Sequence, residues 1–274
     1  MKRRKGHPFL EILAASIHED FRFPILEVFA FLYAISTFAF LGLGSRITLM
    51  FSPRSGEAYT YQLVSIQMGT PLFIFLILIF KNVVYGFGNE FEKGTIQTLL
   101  SYPLKRHMVL TAKLLSALGV SLLMFLGIQF FALFIMAPQT VSANLTTVIV
   151  SYLASLSYPL FLTAILLIVS MKIRKGGLAL VLGIVLYFAL SVAQGILTVL
   201  SITTGSPLTL KALSILNPSL ALQYHFNPLS SLMGGETLWN PNFNEALIYI
   251  GGGYCLVVAA FLIAYYYFSR RLNI

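Results

Sequence analysis

Polar and apolar residues are sorted along this chain into long blocks, with little alternation at short period. Six apolar windows stand out, at roughly 24–44, 67–88, 109–136, 147–171, 178–201 and 246–268. Each is long enough to cross a hydrocarbon layer of about 30 Å, for which an α-helix needs about 20 residues. Strands of a membrane barrel would alternate apolar and polar side chains, and these runs do not. The pattern predicts an all-α membrane protein with six transmembrane helices over residues 24–274. Ahead of them, Phe9, Ile12, Leu13, Ile17 and Phe21 recur at helical spacing, with Glu11, His18, Glu19 and Arg22 elsewhere around the wheel. Residues 1–23 therefore read as an amphipathic helix lying in the membrane interface. They do not read as a secretory signal, because the apolar run begins too late and no small-residue cleavage site follows it.

Composition agrees: the chain is 58% hydrophobic and 10% charged, with a mean hydropathy of +0.85. Its net charge of +9 is a topology signal. Fourteen of the 18 Lys and Arg fall on one side of the predicted spans: Lys2 to Lys5 and Arg22, then Lys93, Lys105, Arg106 and Lys113, then Lys172, Arg174 and Lys175, then Arg270 and Arg271. Only Arg46, Arg54 and Lys211 fall on the other. Positive residues are retained in the cytoplasm, so both termini are expected there, in a multi-pass protein of the cell membrane. Nucleic acid is not an expected partner of this charge; membrane lipid is. Cys255, the single cysteine, excludes a disulfide within the chain.

Several residues inside or beside the windows invite a role. Glu27 lies about one turn into the first span and Lys81 about two turns from the same end of the second. Antiparallel neighbours would bring them to similar depth, so they are candidates for an intramembrane ion pair; two independent charges snorkelling to the headgroups fit equally. Gln129 and Gln194 are expected to join helices by hydrogen bonds. Tyr158-Pro159 should kink the fourth span unless neighbouring groups take over the freed carbonyl. Residues 45–65 read as a polar outer loop. The segment 202–245 is the longest outside the windows, and its apolar pieces LTLKALSIL and SLALQYHF read as short helices on the outer leaflet. Trp239 and Tyr224 suit an aromatic belt, His225 a structural role, and Gly251-Gly252-Gly253 a close helix approach.

The most informative interruption is the basic one between the second and third windows. Thr95 is placed to cap a short helix, IQTLLSY, and Pro103 to end it and start the next. Elsewhere the absences narrow the chemistry. No P-loop, H-E-x-x-H or G-x-S-x-G occurs, and Asp20 is the only aspartate, so no aspartate-rich metal-diphosphate site can be built. With nine acids, mostly at the surface, no general acid/base pair is evident, and no metal site is expected.

Glu90 to Lys113, EFEKGTIQTLLSYPLKRHMVLTAK, resembles the E-x-E-x-G-T-L-x-x-L-L-S-x-P-x-x-R-x-x-x-x-x-x-K pattern of type-2 ABC exporter permeases, with Ile96 in place of the usual Leu. In that family this loop, here 89–108, is the coupling helix that sits in a cleft of the ATP-hydrolysing subunit. The resemblance implies a permease that pairs with a second permease copy, in a homodimer or related heterodimer, and with separate ABC ATPase subunits. ATP and Mg would be bound by those partners, and no cofactor by this chain. By position, Glu90, Glu92, Gly94, Thr95, Leu99, Leu100, Ser101 and Pro103 would make the contact. The competing classes are an ion-coupled secondary transporter, which would want ionisable residues near the bilayer midplane, and a structural membrane scaffold.

Overall fold

A computed structural model describes residues 8–21, 24–50, 56–101, 105–230 and 237–271, the side chains of 44–50, 229–230 and 271 excepted. Six of its helices are long and apolar enough to span a membrane. A first helix, α1 (Pro8–Asp20), is followed by the first span, α2 (Ile25–Met50). The second span runs through α3 (Gly56–Ile79), a π-helical stretch (Phe80–Tyr85) and α4 (Gly86–Glu92). After the short α5 (Thr95–Ser101) comes the third span, α6 (Arg106–Met136), then a short α7 (Pro138–Ala143). The fourth and fifth spans are α8 (Leu145–Ile173) and α9 (Gly176–Thr204). Two short helices, α10 (Leu208–Leu216) and α11 (Ser219–Phe226), and a ribbon pairing Leu229–Ser230 with Thr237–Trp239 precede the sixth span, α12 (Phe243–Tyr266).

The second span starts earlier than the hydropathy window suggests. Residues 56–65, expected in an outer loop, are helical, because their polar side chains turn inward: Thr60 and Tyr61 are buried, and Asn144 donates to the Thr60 hydroxyl at 3.0 Å. Window averaging discards such residues, although a helix edge tolerates them once a neighbour accepts their hydrogen bonds. Pro71 and Pro159 sit inside continuous helices.

α3 and α8 are the two most buried spans and form the centre; α2 and α9 are the least buried and lie outside them. Lipid is as apolar as leucine, so the bundle needs packing and polar links rather than hydrophobic burial alone. Phe125 supplies packing, its ring 4.7 Å from Phe75 and 5.7 Å from Tyr33. Gln129 supplies the link. Its carbonyl accepts from the Gln67 amide at 3.0 Å, its side-chain amide donates to Thr37 at 2.9 Å, and its side-chain oxygen accepts from Tyr152 at 3.4 Å. One residue, by side chain and backbone together, thus ties four spans, the role the sequence suggested for it.

At the end carrying α10 and α11 a second, aromatic core forms. Trp239 and Tyr224 are buried in it with ring centres 5.8 Å apart, so they are core residues and not the belt the sequence suggested. His225 is structural, its Nδ1 2.9 Å from the Pro241 carbonyl. Of the three consecutive glycines only Gly253 makes a close approach: a Cβ there would lie 2.5 Å from Pro218 Cγ and 2.7 Å from Ser157 Oγ.

Candidate functional site

The second span, Gly56–Glu92, is 37 residues long. At 1.5 Å per residue it measures about 55 Å, well beyond a hydrocarbon core of about 30 Å, so its end projects as a stalk. On the stalk sits the basic corner. Gly94 has φ +71°, a left-handed conformation open to glycine and costly for other residues. Its N–H donates to the Phe91 carbonyl at 3.2 Å, and its carbonyl accepts from the N–H groups of Gln97 and Thr98 at 3.1 and 3.2 Å. The glycine therefore ends one helix and opens the next. Thr95, expected as the cap, is instead the first residue of α5, one position inside the turn that Gly94 makes.

α5 is anchored by Ile96, which is fully buried, and by Leu100, packed on the core. Glu92, Thr95, Thr98 and Ser101 are exposed, and Leu99 is half-buried facing α1. Pro103 lies outside the described residues. A short helix held by one deep anchor, with a polar exposed side, suits contact with another protein.

Glu90 does not belong to that exposed side. It is buried, and Lys113 of α6 donates to its Oε1. Lys113 also reaches Glu19 of α1 at 3.9 Å. One residue on, the Ser116 hydroxyl donates to Asp20 Oδ2. Burial pushes the Asp20 carboxyl above its ordinary value, opposed by the Ser116 hydrogen bond and by the charge of Lys81. The interfacial helix is thus fastened to the corner by charge-assisted contacts at its last turn. Between α1 and the corner lies an open cleft of about 670 Å³ lined by Glu11, Ile12, Glu19, Lys93, Thr95 and Leu99, among others.

Lys81 lines a smaller cavity of about 240 Å³ together with Asp20 and Glu19. Glu27 is exposed on α2, and no ion pair joins it to Lys81 among the described residues. The acids nearest Lys81 come from α1, which packs along α6 beside it; the pattern of the spans alone hides this partner. On its other side the corner rests on α9 by bare backbone. A Cβ on Gly88 would meet Gly176 Cα at 2.5 Å, and one on Gly176 would meet the Tyr85 carbonyl at 2.7 Å. The Ser170 hydroxyl donates to the Val84 carbonyl at 2.8 Å, and Asn82 to Ser121 at 3.0 Å, which steadies the π-helical stretch. Lys113 stood in the motif and Gly88 in the polar run, but nothing in their spacing announced Glu90 or Gly176 as partners.

Residues 87–271 match the sequence family described as ABC-2 family transporter protein, from α4 through the last four spans. The chain belongs to the ABC-2 transporter family. No curated protein matches it. As an ABC-2 family member with six spans, it is a multi-pass permease component of an ABC transporter. The family match begins at Phe87, so it contains the corner and leaves out α1, α2 and the second span up to α4.

Proposed function

We propose that this ABC-2 permease is the membrane subunit of an ATP-driven exporter, working as a dimer and driven through α5 by separate ATPase chains. The observation that carries the reading is the corner: an exposed short helix, set by a left-handed glycine and one buried anchor, braced on the long second span, on α6 and on α9. Force applied to such a unit would move whole spans, because buried apolar anchors, bare backbone and a buried charge all join it to them. Glu92, Thr95, Leu99 and Ser101 would face the ATPase, Leu100 would anchor α5 beside Ile96, Gly94 would fix the turn, and Glu90 would act from inside as the brace. ATP and Mg belong to the partner in this scheme. The basic end lies in the cytoplasm by its excess of Lys and Arg. The apolar outer faces of α2 and α9 are available to lipid and to the second copy.

The test is Gly94→Pro in the full chain, co-expressed with its ATPase. Proline fixes φ near −65° and removes the N–H that bonds to Phe91, so the turn cannot form. Insertion and dimer formation should persist while ATPase co-purification falls at least about tenfold, a loss of roughly 1.4 kcal/mol in docking. Full recovery of the ATPase with the variant would refute the docking role of α5.

A further inference from the structure

Acids and bases in equal number line one small space at the basic end of the bundle. The cavity of about 240 Å³ beside Lys81 is walled by Glu19, Asp20 and Glu90 and by Lys81, Lys93 and Lys113. It adjoins the open cleft of about 670 Å³ beside α1, with which it shares Ser16, Glu19, Asn89, Glu90, Lys93 and Lys113. The charges balance in number but are not matched in space. Lys113 is taken by Glu90, with Glu19 at 3.9 Å. Lys81 and Lys93 make neither an ion pair nor a hydrogen bond among the described residues. Two acceptor atoms are also left over. Asn82, 6% exposed, donates to Ser121 and leaves its Oδ1 without a partner among the described residues. Glu90, 9% exposed, likewise leaves its Oε2 without one.

These groups ask for two kinds of partner at once. An orphan acceptor is costly until a donor reaches it, and an unpaired ammonium favours an anion. A plain cation would meet three lysines here and a plain anion three carboxylates, and like charges brought together in a desolvated site cost free energy. A zwitterion meets both demands. The position of the cavity narrows the kind. Ile25, the first residue of α2, lines it and is exposed, as are Leu10, Ile17 and Phe21 on α1. The space therefore opens where an apolar span begins, beside a helix with outward apolar side chains, which is the level of phospholipid headgroups.

We propose that this space binds a phosphoethanolamine group, carried either on a membrane aminophospholipid or on a water-soluble molecule. Lys81, nearer the hydrocarbon, would meet the phosphate. Glu19, with the orphan oxygens of Asn82 and Glu90 behind it, would meet the primary ammonium. A choline group has no N–H to donate and would leave those acceptors open. A headgroup held in this way joins α1 to the second span. The inference stands on the pocket alone and goes beyond the coupling role of α5.

The test uses the full chain in detergent and counts bound lipid by native mass spectrometry while phosphatidylethanolamine, phosphatidylcholine or phosphatidylglycerol is titrated in. Phosphatidylethanolamine should bind at about tenfold lower concentration than either of the others, the step expected from one hydrogen bond to a charged group. Lys81→Met and Glu19→Gln should each remove most of that preference. The Glu19 side chain is exposed, so its variant keeps the proposal testable if Lys81→Met does not fold. Glycerophosphoethanolamine in the buffer separates the two sources: displacement of the lipid at similar concentration assigns a soluble ligand, and failure to displace it assigns the membrane lipid. Equal binding of phosphatidylcholine, tighter binding of phosphatidylglycerol, or a preference unchanged in Glu19→Gln would overturn the proposal. The readout needs no ATPase. A missing lipid preference beside normal ATPase co-purification therefore rejects the ligand and leaves the coupling reading standing, and the converse result does the reverse.

Discussion

Short helices flank the spans at both ends of the bundle, and two neighbouring pairs, α4 with α5 at the basic end and α10 with α11 at the other, are held by different chemistry. To the apolar anchors Phe87, Phe91 and Ile96, α4 and α5 add charge and bare backbone: Lys113 on Glu90 and Glu19, Gly88 on Gly176. α10 and α11 are fixed by neutral bulk, with Tyr224 and Trp239 in an aromatic cluster, Pro218 against Gly253, and amide and hydroxyl links to α9. Contacts of the first kind have little give, since backbone has no rotamer to change and a buried charge cannot lose its partner cheaply. Contacts of the second kind can repack. The difference suits the proposal that the corner transmits displacement, with an opposite end that lies over a cavity.

The comparison breaks most sharply at Lys113. Lys113→Met leaves Glu90 buried with an oxygen that already lacks a partner, at a cost of about 3–5 kcal/mol for a buried ion pair broken on one side. Glu90→Gln alone should cost less, and the double variant should recover part of the loss. Thermal unfolding of the purified permease in a double-mutant cycle measures the coupling. Strict additivity would show that charge does not hold the corner.

Next in size are the two glycine contacts, which separate backbone from side-chain packing. A methyl at Gly88 meets the backbone of Gly176 on a facing helix, so α4 and α9 must part. At Gly253 the nearest atoms are Pro218 Cγ at 2.5 Å, the Ser157 hydroxyl, which can rotate away, and the Ile215 carbonyl at 3.3 Å, so only the proline ring at the start of the short α11 must shift appreciably. Gly88→Ala should therefore cost the upper part of the range of about 1–3 kcal/mol for overpacking, and Gly253→Ala the lower part. Equal losses of thermal stability would erase the distinction between the ends.

How much of this could be read in the chain follows the same division. Six spans, the two outer short helices and the joining role of Gln129 were visible, because long apolar blocks and isolated polar residues are one-dimensional signals. So was the α5 helix, through its glycine and threonine, although the cap falls on Gly94 because only that position takes the left-handed turn. The early start of the second span was hidden by inward-facing polar residues that averaging treats as loop. Depth alone offers Lys81 either Glu27 or the headgroups, whereas α1 places Asp20 beside it, a contact between segments about 60 residues apart that no local pattern encodes. Glu90 looked like a surface residue because its partner Lys113 is 23 positions away.

The smallest effect concerns Asp20 and tests how firmly α1 is attached. Its carboxyl is raised above the ordinary value of 3.8, chiefly by burial, with Ser116 and Lys81 pulling it down and Glu19 pushing it up. A raised folded-state pKa means that the docked α1 binds a proton more tightly than the detached one. The docked state is then favoured by this group below the ordinary carboxylate value and loses that support as pH rises through the folded value. α1 should therefore be held more tightly at mildly acidic pH than at neutral pH. Hydrogen exchange of amides 12–20, corrected for intrinsic rates, should show protection falling by a few-fold across that window. Asp20→Asn keeps an acceptor for Ser116 without the buried charge, so it should abolish this pH dependence and change stability by less than about 1 kcal/mol. The charges of Lys81 and Lys113 would lose a neighbour in that variant, but Glu19 remains beside them. A variant with the pH dependence intact would assign it to Glu19 or Glu90 instead, and α1 would then be tethered through Lys113 alone.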